Sequence, residues 1–372
     1  MLIIKKVETK KEQKDFINFP LDLYRNNEYY VPMLYSSEKN IFKKDYPYNK
    51  VCDVCFFNAY LDGKMVGRIQ GIIQREANIK WDQKRIRFTR FDAINNQEVA
   101  DGLFDAVVNF GKEHGMTELV GPLGYSDLER EGLLIEGFEE VQTYEEQYNY
   151  DYYQKLIENY GFDKDVDWIE HMLFPPETIN ERLLSVSQKM LNKYELRTYQ
   201  AKSMKELLSK YAEPVFDLID KTYANLYGTM PLNKEIVDML VKDFKMILRV
   251  KDVFMILDKE DNLVGFALMF PSISDAVRKS RGKITIPFLF RFLKAKKNPK
   301  IIDLGLIGVL PQYESKGIAT IMIGKLLEFM LQEKINHFET NLNLEDNLHV
   351  INIMKHFDKR QNKRRRCFKK DI

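Results

Sequence analysis

Apolar and polar residues alternate over 2–8 and then recur at helical spacing over 10–24, so the chain opens as a strand followed by a helix. After a polar, aromatic-rich stretch, two apolar runs at 56–61 and 65–73 flank Asp62-Gly63. That dipeptide supplies the positive φ angles of a two-residue turn, and the pattern predicts a hairpin. Further on, 85–94 reads as a strand, 98–114 as a helix closed by Gly115, and 118–121 as a short strand. A helix at 152–160 stops at Gly161, and a strand follows at 167–174. Pro175-Pro176 breaks the pattern, and 179–193 has helical spacing again.

The same order of elements then recurs. A strand at 194–199 is followed by helical stretches at 205–226, with Pro214 as a kink or break, and at 234–246. A second hairpin joins 253–258 to 263–270 through 259–262, and a strand at 301–309 leads into a helix at 317–333. A strand at 337–342, a helix at 348–357 and a strand at 365–372 close the chain. The repetition predicts an internal duplication: a first domain at 1–177, a helical linker at 178–193 and a second domain at 194–372 with an insertion at 272–299.

With 372 residues, the chain exceeds what one compact core usually holds, which agrees with two domains. Its 45% hydrophobic and 30% charged residues are those of a folded protein rather than a disordered or fibrous one. A formal charge of +2 creates no global field toward nucleic acid, so any such role rests on local clusters. Three cysteines, an odd number, argue against a disulfide scaffold and for a reducing compartment. The start turns charged after three apolar residues, and no apolar run approaches membrane-spanning length, so a cytoplasmic protein is expected.

The most informative passage runs from Leu306 through Val309, Pro311, Tyr313 and Glu314 to Ser315-Lys316-Gly317-Ile318-Ala319-Thr320. It reads as strand, tight loop and helix. A helix N-terminus presents unpaired N–H groups and the positive end of its dipole, and small residues such as Gly317 and Ala319 let a pyrophosphate approach that backbone. Ser315 and Thr320 add hydroxyl donors, and Lys316 adds local positive charge.

The spacing Val309-x-Pro311-x-Tyr313 followed by Gly317-x-Ala319 resembles the coenzyme A loop of the GNAT superfamily, V-x-P-x-Y/F-R/Q-x-x-G-x-G/A. The resemblance implies a fold of two mixed α/β, acyl-CoA N-acyltransferase-like domains, each a central, mostly antiparallel mixed sheet flanked by helices. It implies acetyl-CoA or another acyl-CoA as donor, and direct attack by the amine of a small molecule or peptide on the thioester. Backbone N–H groups near Ile307 and Val309, with Ile318 in the loop helix, would hold the coenzyme, and Asn347 would contact its pantetheine arm. Asp303 and Glu345 are the carboxylates that sequence places best to accept the amine proton. The family often sets a tyrosine seven residues past the Asn to protonate the thiolate; here that position is Met354, and His356 lies nearby. Glu314 stands where the family has Arg or Gln, so its carboxylate must point away from a phosphate or the site is altered. Two alternatives stay open: a long-acyl or aminoacyl transferase of the myristoyl- or Fem-type tandem kind, and a non-catalytic binding module.

The first half has no such loop after residues 91–94, and it reads as a degenerate copy that serves as scaffold or substrate binder. Its glycine-punctuated segment 121–138 offers Tyr125, Ser126, Asp127 and Arg130 to a cleft facing the second half. Cys52-x-x-Cys55 has zinc or redox spacing but lacks a second pair, so metal-free cysteines are expected and no metal is implied. The basic, aromatic stretch 278–297 reads as a lid or packed helical hairpin, with peripheral membrane or nucleic-acid contact as alternatives. The basic run 359–370 has the composition of a nucleic-acid patch, but in the implied fold it leads into the last strand.

Overall fold

Asp62 and Gly63 take φ of 49° and 80°, the left-handed pair that a two-residue hairpin turn requires. The turn joins β2 (Cys52–Leu61) to β3 (Lys64–Gln74) as the sequence predicts. β1 (Leu2–Lys6) lies outside β2, and β4 (Arg85–Ala93) and β5 (Glu118–Gly121) complete the first half's run of strands. The structure, a computed structural model, describes all residues except Ser315, and only the backbone at 348 and 349.

The remaining strands are β6 (Leu133–Glu136), β7 (Asp163–Phe174), β8 (Arg197–Tyr199), β9 (Val253–Leu257) and β10 (Leu263–Pro271). β11 (Ile301–Val309), β12 (His337–Thr340), β13 (Asn343–Leu344) and β14 (Asp358–Asp371) follow. Among the described residues they form one continuous sheet in the order β1-β2-β3-β4-β5-β14-β7-β12-β11-β10-β9-β8, with β6 on β14 and β13 on β7. The order is nearly palindromic. The last strand of the second half sits beside β5 of the first, and the last strand of the first half sits beside β12 of the second, so the two halves exchange their closing strands.

That exchange explains the basic run. β14 begins at Asp358, earlier than the periodicity suggests, and pairs antiparallel along β7. Lys363 and Arg365 are 1% and 0% exposed. Lys363 Nζ lies 2.9 Å from Glu146 and 3.2 Å from Glu170, and Arg365 Nε lies 2.5 Å from Glu170. Burial alone would raise the Glu146 carboxyl, but Lys363 and Arg365 hold it below the usual carboxylate range. On the other face, Arg364 and Arg366 both reach Asp167. Severing such a buried pair typically costs about 3–5 kcal/mol, so these cations are structural.

The halves also share a core. Phe16, Val31, Leu34 and Phe56 of the first pack in one cluster with Ile219, Leu240, Phe266 and Phe270 of the second. Pro214 falls in the first turn of the Ala212–Tyr223 helix, and a wider π turn at Leu207–Tyr211 precedes it, which accommodates the N–H that proline lacks. The helix Glu181–Lys193, read as a linker, packs along the Ile318–Glu333 helix, where Ser187 Oγ donates to the Thr320 carbonyl at 3.2 Å. Segment 272–299 forms two helices, Ser274–Ser280 and Ile286–Lys297, packed on each other. Among the described residues, no helix is long and apolar enough to cross a membrane.

Candidate functional site

In each half one central strand starts parallel to its neighbour and then leaves it. β4 pairs with β5 over Arg85–Arg87, and β11 pairs with β12 over Ile301–Leu304. Just beyond, the register on the opposite side slips, between Arg68 and Gln70 in the first half and between Leu268 and Met269 in the second. Such a bulge bends a strand away from its partner and turns its backbone groups into the opening.

In the second half the opening leads to the loop singled out from sequence. After Val309, a short turn at Pro311–Glu314 carries Glu314 exposed at its end. Gly317, at φ 75°, is the N-cap of the Ile318–Glu333 helix and provides no capping side chain. A Cβ added there would lie 3.1 Å from Met190 Cγ of the Glu181–Lys193 helix, so glycine suits both the backbone angle and the space. Lys316 Nζ sits 4.0 Å over the Tyr313 ring and 5.6 Å over that of Tyr194, which fixes a cation beside the helix N-terminus. Ile318 is fully buried against Ile307 and Val309, coupling loop to strand, while Ala319 and Thr320 are only half-buried. Ser315 lies outside the described residues.

The strand backbone at the opening is engaged in a way the sequence does not announce. The Ile307 N–H donates to the Tyr223 hydroxyl at 3.2 Å, and that hydroxyl donates to the Ile307 carbonyl at 3.0 Å. Burial pushes the Tyr223 phenol up to about 12, so it keeps its proton at neutral pH. Tyr223 also walls a cavity of about 350 Å³ between the halves, with Ile219, Asp220 and Met230 on its side and Lys80, Asp127 and Leu128 opposite. Burial pushes the Asp127 carboxyl up to about 6 despite the nearby Arg87 and Lys80. No local sequence pattern marks Tyr223, whereas Asp127 belongs to the glycine-punctuated segment 121–138.

A second cavity, of about 180 Å³, lies where Glu38, Arg90, Glu129 and Arg130 of the first half approach Asp243 and Ile247 of the second. Glu145 in its wall is pushed up to about 7 by burial. Tyr125 and Ser126 are buried behind it, bonded to Gln70 and Tyr48.

The other residues proposed from sequence scatter. Asp303 is on β11, buried and register-paired with Glu339, and burial and that neighbour push its carboxyl well above the ordinary range. Its Oδ1 has no hydrogen-bond partner among the described residues. Glu345 is exposed and ion-paired with Lys164 at 2.6 Å and Arg364 at 3.0 Å. His356 is exposed beyond the Leu348–Met354 helix, and Asn347 caps that helix through the Val350 N–H at 3.2 Å. Met354 is buried in an apolar cluster with Phe338 and Phe357. Cys52 and Cys55 are buried free thiols, and among the described residues no cluster of His, Cys, Asp and Glu has the form of a metal site.

In the first half the opening is filled. The Ala93 N–H donates to Tyr153 Oη at 2.9 Å, Tyr152 donates to the Ala93 carbonyl at 2.8 Å, and Tyr24 bridges Tyr153 and Asp92 at 3.0 Å each. Only residues 94–96 separate strand from helix, and the Asn96 side chain accepts the Val99 N–H of the Gln97–Glu113 helix at 3.2 Å.

Comparison with known proteins agrees with this architecture. Residues 216–357 match the Acetyltransferase (GNAT) family. Protein YghO of Escherichia coli is 22% identical, over 98% of this chain and 94% of its own length. The bacterial ceramide synthase of Caulobacter vibrioides is 23% identical, over 88% of this chain and 84% of its own. Among solved structures, a tandem GNAT protein from the clavulanic acid biosynthesis pathway superposes over all of this chain and 98% of its own, with a TM-score of 0.56 at 12% identity. Residues 216–357, which carry the Gly317 loop, thus resemble the GNAT family, and the whole chain shares the fold of that tandem GNAT protein.

Proposed function

We propose that the protein is an acyl-CoA-dependent N-acyltransferase with a single coenzyme site, in the second half, and an acceptor site in the cavity between the halves. The observation that carries this is Tyr223, whose hydroxyl lies on the Ile307 backbone at the opening while its ring walls the cavity that holds Asp127. The loop fits the donor: Gly317 leaves no side chain between the helix N-terminus and a phosphate, Lys316 stands beside it, and Glu314, at the end of the preceding turn, is exposed to solvent. Bound acyl-CoA supplies the activated thioester carbonyl.

The chain's own groups do the rest. The Ile307 N–H, released from Tyr223, polarises the acyl carbonyl. Asp127, with a pKa of about 6, is largely ionised at neutral pH and takes the proton from the attacking amine. The new N–C bond forms as the C–S bond breaks, and the Tyr223 hydroxyl gives its proton to the departing sulfur. This fills the role left vacant at Met354, which is buried in the core. Asp303, Glu345 and His356 are not needed in this scheme.

Acyl length divides two readings, acetyl transfer and long-acyl transfer. The second cavity has apolar walls at Leu34, Leu240 and Ile247, and a relative is named as a ceramide synthase; both favour a long-chain substrate. The test is thiol release from acetyl-CoA and palmitoyl-CoA with a panel of primary amines across pH. Turnover should fall as pH drops through about 6 in the native protein, and Asp127→Asn should be slow with no such limb. An unchanged acid limb in that variant removes Asp127 from the mechanism. No release with any donor favours the non-catalytic binding module.

A further inference from the structure

The insertion hairpin has a face that none of the described residues covers. In the Ile286–Lys297 helix, Phe288 and Phe292 turn inward and stack at 5.6 Å, while Ile286, Leu289, Phe290 and Leu293 point outward. Their spacing places them on one stripe, extended by Ile284 before the helix. Ile286 and Phe290 are each 72% exposed, far more than apolar side chains of that size usually are.

The hairpin that carries the stripe is strongly basic. Residues 274–300 contain nine Lys or Arg and a single acid, Asp275, which pairs with Arg278 and Lys279. Some of these cations anchor the hairpin to the body: Arg278 donates to the Glu28 carbonyl at 2.5 Å, Arg281 to the Leu21 carbonyl at 2.6 Å, and Lys296 to the Met246 carbonyl at 2.8 Å. Gly282 is pressed against Met33, with no room for a side chain, and its carbonyl accepts the Tyr35 N–H at 2.8 Å. Lys283, Arg291, Lys294 and Lys297 are exposed on the same hairpin, beside the apolar stripe, and have no ion-pair partner among the described residues.

We propose that this hairpin docks the protein on an anionic lipid bilayer. Protruding aliphatic and aromatic side chains enter the headgroup–acyl boundary, and the four unpaired cations meet lipid phosphates, an arrangement that needs both apolar depth and surrounding negative charge. The charge pattern selects this occupant over a second copy of the chain, because two such faces would bring cation against cation. The anchoring residues Leu21, Met33 and Met246 also line the second cavity, so docking brings that cavity beside the membrane surface.

The test is flotation of the purified full chain with phosphatidylcholine vesicles, with and without phosphatidylglycerol. The native protein should float with the anionic vesicles, lose most binding in 0.5 M salt, and bind neutral vesicles roughly tenfold less. Phe290→Asp with Leu293→Asp should lose roughly tenfold or more in bound fraction, with an unchanged melting temperature because both side chains are exposed. Arg291→Glu with Lys294→Glu should remove the preference for anionic lipid. Equal flotation of the native and Phe290/Leu293 proteins overturns the proposal. So does a native dimer that the same substitutions make monomeric without any change in lipid binding.

Discussion

The two openings in the sheet are built from the same parts and differ in what fills them. In the first half, Tyr24, Tyr152 and Tyr153 close on Ala93 and Asp92, with Tyr24 and Tyr153 essentially out of solvent. In the second, one tyrosine from the Ala212–Tyr223 helix meets Ile307 and lines a cavity. The helix starts differ in the same sense: Asn96 caps its own helix, whereas Gly317 leaves the N-terminus without a side-chain cap. One opening is packed as core, and the other borders a cavity. On the function proposed above, the hydrogen bond that stabilises the fold in the first half is, in the second, one that a substrate replaces.

The sharpest way to break this comparison is to remove the same atom from both halves. Tyr223→Phe should lower turnover by roughly 10²-fold or more, acting on kcat rather than KM, because a proton donor to the leaving group is lost. Tyr153→Phe should leave turnover intact and reduce stability by about 1–3 kcal/mol, since the Ala93 N–H and the Tyr24 hydroxyl lose a buried partner. If both variants lose only stability, Tyr223 is as structural as Tyr153.

Asp127 sharpens the contrast from the other side of the cavity. Its pKa is raised on folding from 3.8 to about 6, so its contribution to stability is full below the unfolded value and is lost as pH rises through 6. Asp127→Asn should therefore be more stable than the native protein at pH 8, by about 1–3 kcal/mol in chemical denaturation, while losing activity. Equal stability at pH 8 would mean that the carboxyl is not strained by burial. The smallest effect is expected at Asn96→Ala, about 1 kcal/mol of stability from the lost cap with acyl-CoA affinity unchanged.

Much of this was legible in sequence wherever the signal is local. The Asp62-Gly63 hairpin, the helix closed by Gly115 and the strand–loop–helix around Gly317 each depend on neighbouring residues, and each formed as read. The strand exchange was not legible, because β14 is set by partners such as Glu146 and Glu170, roughly two hundred residues away, and its cations look like a surface patch until those carboxylates are in place. Glu345 read as a candidate base for the same reason: its partner Lys164 comes from the other half. Tyr223 lies 84 residues from Ile307, and a tyrosine on an amphipathic helix carries no mark of the backbone it will meet. The short helices between residues 35 and 51 were hidden in a stretch too polar for a periodic signal.

The most direct test of a single coenzyme site in the second half is calorimetric titration with acetyl-CoA and palmitoyl-CoA of the native protein and of Ala319→Glu. A glutamate in the first turn of the helix is favourable for the helix itself but repels a phosphate, so folding and binding separate in this variant. One site per chain is expected in the native protein, with at least a roughly hundredfold loss of affinity and no fall in melting temperature in the variant. Two sites per chain, or an affinity that Ala319→Glu leaves untouched, would contradict a single site in the second half.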